Sequence, residues 1–400
     1  MKRVLFQMWD KSTQVPFLAQ MSDGSLIGTF STVRWGRIED GRFVETTAWN
    51  TKQLEEFFCR STDGGHTWSL PEPFPYPCRP WHPLGGDEYL GAIGVLSDPD
   101  KHRLQDGTAS KSVLCLVRGR LKGSRMEWDP PAPIAPIGDA PLNQGRLTRL
   151  LDGTLLAYYG VIPPRVGRPY LAVRRSEDNG HSWGDEIVVD PPECGAPGMH
   201  KSYLVIVTVG DGTVSAFWTE ARPQPFLRKS EDGGRTWSER RPINPFRSPK
   251  TGRPYSYSKL QGAVSLAVWG GEWYTDVLAH GRATDRRFHD PDDPGGVVAA
   301  LSHDGGYSWE QTQIIDDCKD AWPQHLAPLL QRTVGGMNTG YGNMIILGNK
   351  VYLASPNVDA EALRQKCYLY DIPNLIAPPE QKPASGAEPP GQFGKDAGGR

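Results

Sequence analysis

Residues 61–68 read STDGGHTW, and the pattern returns as SEDNGHSW at 176–183, SEDGGRTW at 230–237 and SHDGGYSW at 302–309. Four near-identical matches to S-x-D-x-G-x-[ST]-W in one chain mark an internal repeat, and a repeat decides the fold before any single element does. The pattern is that of a tight turn. Asp63, Asp178, Asp232 and Asp304 can accept hydrogen bonds from the backbone N–H groups just ahead of them. Gly65, Gly180, Gly234 and Gly306 can supply a positive φ. Each turn follows an apolar or alternating stretch (LEEFFCR, YLAVRR, PFLRK, GVVAAL), and a strand-like run such as DEIVV follows Trp183. Trp68, Trp183, Trp237 and Trp309 are large enough to wedge between neighbouring sheets. A calcium loop is the competing reading, but such a loop needs several acidic ligands and a terminal Glu.

A second repeat accompanies the first: an apolar stretch, a D-G or G-G turn, and another apolar stretch. It appears as VPFLAQMSDGSLIGTF from Val15, GRLTRLLDGTLLAYY from Gly145 and YLVIVTVGDGTVSAFW from Tyr203. Weaker copies are KLQGAVSLAVWGGEWYTDVLA from Lys259 and NMIILGNKVYLASP from Asn343. Each predicts a hairpin with a two-residue turn. Together the two repeats give four-stranded units, and such units repeated radially make a β-propeller. Six units are expected, opening near Gln14, Asp87, Asn143, His200, Tyr257 and His325, the second and sixth without an Asp turn. The reading is therefore all-β: one six-bladed propeller of four-stranded antiparallel blades over residues 1–376, with inserts at 97–112, 120–140 and 281–296. Residues 377–400, rich in Pro and Gly, have no periodic apolar content and are expected to be a disordered tail.

Composition agrees. Gly 45 and Pro 36 make about a fifth of the 400 residues, against roughly 12% in average usage, which disfavours a helical protein. Thirteen Trp exclude wholesale disorder. A net charge of −2 removes the electrostatic footprint of a general nucleic-acid or membrane-surface binder. The six cysteines are scattered without a CxxC, so neither a zinc site, a redox motif nor another cofactor is expected. No signal-peptide-like or membrane-spanning apolar run occurs in the sequence, and the expectation is a cytoplasmic protein, or a secreted one if a leader has been trimmed.

The S-x-D-x-G-x-[ST]-W turns resemble the Asp boxes (BNR repeats) of sialidases and their relatives, over residues 1–375 as architecture. The resemblance implies a six-bladed propeller whose first strands line a central channel. It also implies cations for a substrate carboxylate, arginine being suited by its bidentate fork. A tyrosine nucleophile paired with a carboxylate, and an Asp acid/base, complete what it implies. The family's R-I-P-x-L opening is QVPFL here, with Gln14 in the Arg position. RLTRL at 146–150 is similar to that opening at its first residue, which makes Arg146 a candidate cation. GYGNMIIL places Tyr341 at the family's nucleophile position. The family's Glu position falls on Tyr203, and its second Arg position falls near Thr219, with Glu220 and Arg222 close by. Asp40, after the first hairpin, is the candidate general acid.

Other candidates come from placement at unit openings, since pockets are lined by a few polar groups. They are Asp87 with Glu88, His200 and Lys201 in HKSY, Lys259 and His325. Arg34 and Arg37 follow the first hairpin. For each of these, ordinary strand or turn polarity is the competing reading, as an ion pair is for Arg146 and a packed channel aromatic for Tyr341. Three functions fit. The leading one is a retaining exo-sialidase-type glycoside hydrolase acting on a terminal acidic sugar of a glycan. A uronate polysaccharide lyase using His200 or His325 with Tyr203 and Lys201 is the second, and a non-catalytic propeller binding a glycan or a protein is the third. No nucleic-acid or membrane partner is expected, and the oligomeric state is left open.

Overall fold

Hairpin chemistry sets the first level of the structure. In the computed structural model, residues 21–25 (MSDGS) and 150–154 (LLDGT) close two hairpins identically. Met21 N–H donates to Ser25 O and Leu150 N–H to Thr154 O, both at 2.8 Å, and Gly24 and Gly153 N–H donate to Met21 O and Leu150 O at 3.0 Å. Asp23 and Asp152 each accept the N–H two residues on at 2.9 Å. Gly24 and Gly153 take φ of 81° and 89°. These are three-residue loops with a left-handed glycine, not the two-residue turns expected, because the Asp side chain captures the N–H that a tighter turn would place in the ladder. Two-residue turns do occur where no such Asp precedes the glycine: Leu347 pairs directly with Lys350, and Gly85 with Glu88.

The structure describes residues 2–6, 12–21, 23–33, 37–39, 42–44, 55–73, 81–96, 111–122, 125–135, 138–139, 146–161, 169–194, 201–208, 212–220, 225–243, 264–270, 295–301, 305–307, 310–316, 343–347, 350–359 and 364–372. The protein is an all-β propeller of antiparallel meanders. Sheet 1 orders Ser12–Gln20, Leu26–Val33, Glu55–Ser61 and Glu72–Pro73. Sheet 2 runs Trp81–Gly85, Glu88–Leu96, Lys111–Lys122 and Arg125–Trp128, with Ala132–Pro133 and Gly138–Asp139 also on the long third strand. Sheet 3 is Arg146–Arg149, Leu155–Val161, Tyr170–Ser176 and Ile187–Asp190, and sheet 4 is Lys201–Thr208, Val214–Glu220, Pro225–Ser230 and Arg241–Pro242. Sheet 5 has Val264–Gly270, Gly295–Leu301 and Glu310–Asp316. Sheet 6 orders Asn343–Leu347, Lys350–Asp359, Arg364–Ile372 and, outermost, Lys2–Phe6, so that the two ends of the chain share one sheet. A small hairpin, Arg37–Glu39 with Arg42–Val44, sits in the long connection of sheet 1.

Three expectations change. The second unit opens at Trp81, so Asp87 lies in its first hairpin turn and not at its start. The insert expected at 120–140 carries strands that cover the outer edge of Lys111–Lys122. In the fifth unit Val264–Gly270 starts at the Asp-turn end, where Val264 pairs with Leu301, so it runs opposite to the first strand expected there; Gly271 and the stretch after it lie outside the described residues.

The Asp turns join third to fourth strands in sheets 1, 3 and 4. Ser61, Ser176 and Ser230 hydroxyls donate to Asp63, Asp178 and Asp232 at 2.7–2.8 Å and accept Gly65, Gly180 and Gly234 N–H at 2.7–2.8 Å. Each Asp also takes two further N–H groups and a Thr or Ser hydroxyl, such as His181 N, Ser182 N and Ser182 Oγ on Asp178. Carboxylate oxygens filled with donors leave no ligand set for calcium. Two consecutive residues are left-handed in each turn: Gly64 and Gly65, Asn179 and Gly180, Gly233 and Gly234. Asn tolerates φ of 60° where most residues do not.

Sheets pack face to face in chain order. Leu5 and Leu369 of sheet 6 meet Leu18, Phe30 and Cys59 of sheet 1, with Trp68 against them. Ala19 and Ile27 meet Tyr89, Cys115 and Val117 of sheet 2. Leu90 and Leu114 meet Leu155, Ala157 and Tyr159 of sheet 3 with Trp183, and Leu156, Tyr158 and Val173 meet Leu204, Ile206 and Trp218 of sheet 4 with Trp237. Trp68, Trp183 and Trp237 therefore wedge against the preceding sheet, as expected; Trp309 lies outside the described residues. Sheet 2 has no Asp turn and keeps a wedge by another route, Trp128 lying over Gly119.

Two outcomes are expected. A Cβ at Gly119 would stand 2.3 Å from the Trp128 ring, so Gly119→Ala should lose about 1–3 kcal/mol by overpacking in urea denaturation. The carboxyls of Asp63 and Asp178 are held below the ordinary 3.8 chiefly by the Thr67 and Ser182 hydroxyls; for Asp232 burial works upward but the Thr236 and Ser230 bonds outweigh it, leaving about 2. Lowered folded values mean stability that is full above pH 4 and lost as pH falls toward 2. Melting temperature should drop through that window, less steeply in Asp178→Asn, which should also melt lower at pH 7.

Candidate functional site

Strand direction divides the molecule into two ends. First strands run toward the hairpin loops and third strands toward the Asp turns, so both sit at one end: Leu26 pairs with Ser61, Leu155 with Ser176 and Val214 with Ser230. The distal end gathers the starts of first strands and the ends of second strands. Side chains for chemistry at the axis must come from there or from the inner strands themselves.

The Asp-turn end is already committed. Arg149 donates to Gly153 O and Leu84 O at 3.1 Å and to Asn179 Oδ1 at 2.8 Å. Asp87 is exposed in the hairpin turn at this end, and its carbonyl accepts Leu121 N–H at 2.8 Å. Glu88 beside it bonds Arg118 and Arg120, both at 2.9 Å. Asp87 is therefore placed away from the distal end.

Arg146 opens the first strand of sheet 3 and is only 7% exposed. Its ladder partner is Tyr158, 3% exposed, so the two share the face toward sheet 4. Burial pushes the Tyr158 phenol up, against the opposing influence of the Arg146 charge and a hydrogen bond with the Ile206 backbone in the first strand of sheet 4. The pair thus joins the inner strands of two sheets. Its depth is set by register. Counted back from the last paired residue before the hairpin loop (Gln20, Arg149, Thr208), Arg146 matches Phe17 and Val205. Gln14 and Ser202 lie three residues nearer the distal end, about 10 Å at 3.3 Å per residue. Arg146 is a cation inside the wall, below the level of Gln14.

Gln14, Lys201 and Tyr203 lie in first strands at the distal end. Gln14 pairs with Ser31, Ser202 with Thr219 and Lys201 with Glu220. The simple alternation expected for Lys201 and Tyr203 is interrupted, because the register shifts between Ser202 and Val205. Arg34, Asp40, His200, Arg222, Lys259, His325 and Tyr341 lie outside the described residues. The ladder partners Glu39 and Arg42 flank Asp40, and Tyr341 precedes the first strand of sheet 6.

Three groups escaped the sequence reading. Glu56, 7% exposed, is the second residue of the third strand of sheet 1 and pairs with Ser31, in the row of Gln14. His82 faces the seam between sheets 2 and 3, its Nε2 without a hydrogen-bond partner, and is held at about 4, first by burial and then by the Arg149 charge. A carboxylate in FFCRS-type apolar surroundings and a His in WHPLG carry no motif, so only the ladder reveals them. Tyr158, in the apolar LLAYYGV run, is the third.

Two polar clusters of sheet 3 lie away from its first strand. Tyr159 and Tyr170 hydroxyls donate to Glu186 at 2.8 and 2.9 Å. Asp190, fully buried, is held by Arg228 at 2.9 Å with Arg240 at 3.7 Å. Both join strands and seams. Among the described residues no three His, Cys, Asp or Glu side chains converge as a metal site, and no helix is long and apolar enough to cross a membrane.

No family model and no curated protein matches the chain. Solved structures do. A protein of unknown function from Dyadobacter fermentans is 18% identical with a TM-score of 0.59, covering 92% of this chain and 97% of its own. The NanB sialidase of Streptococcus pneumoniae is 12% identical at 0.55, covering 94% and 71%. The α-L-arabinanase of Penicillium chrysogenum is 12% identical at 0.50, covering 92% and 98%. At these identities the likeness establishes the propeller fold.

His82 yields an expected pH dependence. Its folded value lies below the ordinary 6.5, so the unfolded chain binds more protons between pH 6.5 and 4 and stability falls as pH drops through that window. The loss should be absent in His82→Gln, as read by urea midpoints at pH 7 and pH 4.5.

Proposed function

We propose that the protein is a glycoside hydrolase of the sialidase type, acting on a terminal acidic sugar at the distal end of the propeller axis. The observation that carries this reading is Arg146: a cation 7% exposed in an inner strand, tied through Tyr158 to the neighbouring sheet. In this reading its bidentate fork meets the substrate carboxylate from the wall of the propeller, below the level of Gln14. The glycosidases among the structural neighbours supply the fold context only.

In this reading residues 1–376 form one ring of six blades and residues 377–400 trail from it. Five consecutive sheet-to-sheet seams support the count, from sheet 6 against sheet 1 to the Lys229 ammonium of sheet 4 over Tyr307 of the sheet 5 turn at 4.0 Å. Tyr341 is the nucleophile. Asp40 is the acid/base that protonates the leaving oxygen and then activates water, and Tyr203 lies alongside the reacting carbon. Arg146, Arg34, Arg222, Lys201, His200, Lys259, His325 and Gln14 contact the substrate. Asp87, at the opposite end, has no part in it.

The test is release of the chromophore from an aryl α-sialoside, with an aryl arabinofuranoside and a uronic polymer as comparison substrates. Turnover of the sialoside, lost in Tyr341→Phe and reduced about a hundredfold or more in Asp40→Asn, is the expected outcome. Turnover of the arabinofuranoside alone, or an unsaturated product from the polymer, would replace this reading. Full activity in Tyr341→Phe would remove that residue from the role.

A further inference from the structure

The seams between sheets are closed in two different ways. Across the seam between sheets 2 and 3, Arg118 donates to Asn179 O at 2.8 Å. Across the next, Arg175 donates to Gly233 O. Between sheets 4 and 5, Ser215 donates to Gly305 O at 3.1 Å, and the Lys229 ammonium stands 4.0 Å from the centre of the Tyr307 ring. Each time a polar side chain of one sheet reaches the Asp turn of the following sheet. Sheets 2, 3, 4 and 5 are thus bolted in series.

The seam between sheets 1 and 2 is built otherwise. Arg60 stands opposite Ile27 on the face toward sheet 2, as Arg175 stands opposite Leu156 on the face toward sheet 4. Arg60, however, is turned back on its own hairpin loop: Nε donates to Ser25 Oγ at 3.1 Å and Nη2 to Asp23. On the other side, the segment that replaces an Asp turn in sheet 2 is bonded inward. Leu121 N–H donates to Asp87 O at 2.8 Å, Asp129 N–H to Arg118 O at 2.9 Å, and Arg120 bonds both Glu88 and Asp129. The seam itself buries Ala19, Met21, Ile27, Tyr89, Cys115 and Val117. Thr29, opposite Phe58 on the same face and 4% exposed, keeps its hydroxyl without a hydrogen-bond partner there. Apolar surfaces can part and reseat without stranding a charge or a carbonyl, which parting at a bolted seam would do.

We propose that the ring opens at the seam between sheets 1 and 2, sheet 1 moving away from the bolted block of sheets 2 to 5. Sheet 1 stays with sheet 6, against which its Trp68 packs together with Leu18, Phe30 and Cys59. Sub-global openings follow the boundaries of such cooperative units. The motion gates the distal end. Sheet 1 carries Gln14, whose strand slips register before Phe17, and the Arg37–Glu39 hairpin in its long connection, whereas Arg146 belongs to the block. Groups of sheet 1 therefore change their distance from Arg146 as the seam parts. The inference holds whatever ligand the axis takes.

Two buried thiols report the two sides of sheet 1. Cys115, 4% exposed, lies in the seam with sheet 2, and Cys59, 2% exposed, in the seam with sheet 6. Burial pushes both thiols up, Cys59 to about 12 with a smaller push from the Glu72 charge, so each is unreactive while covered. The full native chain is treated with excess maleimide near neutral pH at a series of low urea concentrations, and each cysteine is followed by peptide mass spectrometry. Cys115 should react about tenfold or more faster than Cys59, at a rate nearly insensitive to urea, because a local opening exposes little surface. Cys59 should rise steeply with urea, in step with global unfolding. Val173→Cys places a thiol in the bolted seam between sheets 3 and 4, where Val173 is fully buried, and that thiol should react as slowly as Cys59. Adding Arg175→Leu, which removes the bond to Gly233 O, should raise its rate relative to Cys59 in the same molecule, which serves as the reference for any global loss of stability. A Cys115 rate no faster than that of Cys59, or one that climbs with urea in step with unfolding, overturns the inference. So does a Val173→Cys thiol that reacts as fast as Cys115 with Arg175 in place, or one that gains nothing relative to Cys59 from Arg175→Leu.

Discussion

The structure depends on a backbone carbonyl that cannot be satisfied within its own sheet. In the Asp turns of sheets 3, 4 and 5 two successive residues are left-handed, and the carbonyl of the first of them reaches the preceding sheet. Asn179 O accepts from Arg118 of sheet 2 at 2.8 Å, Gly233 O from Arg175 of sheet 3, and Gly305 O from Ser215 of sheet 4 at 3.1 Å. A carbonyl covered at a seam is costly without a donor, so each of these three turns is completed by the sheet before it. The local repeat therefore carries an instruction about its neighbour. The following glycine reinforces it: a Cβ at Gly180 would meet Leu90 of sheet 2 at 2.9 Å, and one at Gly234 would meet Leu156 of sheet 3 at 3.2 Å. Turn conformation, sheet order and seam packing are one constraint seen at three scales. Where the next sheet lacks an Asp turn, the basic residue before the turn serine is redirected: Arg60 bonds Asp23 and Ser25 of its own sheet.

That constraint explains why so much of the fold was legible in the sequence. In S-x-D-x-G-x-[ST]-W the bonds of the Ser and Asp side chains span four residues or fewer, and the motif contains all of their participants. The D-G hairpins were legible for the same reason, although the extra residue in their loops was not. Asp23 and Asp152 shift the closure by one position, a consequence of side-chain geometry that a count of apolar residues does not register. The second and fifth units were read less well because each replaces a local signal with a non-local one. Lys111–Lys122 runs on past the place for an Asp turn because three later segments cover its edge. Val264–Gly270 takes its partner across a connection of two dozen residues.

The candidate site was less legible. A buried group such as Glu56 or Tyr158 is defined by which residue stands opposite it two strands away, and that is a property of register. Arg146 shows the limit plainly. Its motif places it at a strand opening, yet the ladder sets it three residues below Gln14, since only three residues separate it from the last pair before the hairpin loop. Similar short sequences can thus mark different heights along the axis. Asp87 shows the converse: a strand opening in the sequence is a hairpin turn in the sheet, on the face already consumed by Arg149, Arg118 and Glu88.

The two ends of the sheets divide the polar chemistry between them. At the Asp-turn end carboxylates, hydroxyls, guanidinium groups and outward carbonyls bond one another, which locks the described seams. The distal end has no such repeat. Its strands start and stop at different heights, two of them bulge, and its charged ladder ends differ from sheet to sheet. A scaffold whose order is fixed from one end tolerates variation at the other. The chemistry of the axis is therefore to be sought where the repeat is silent, in the residues that make sheet 4 unlike sheet 1.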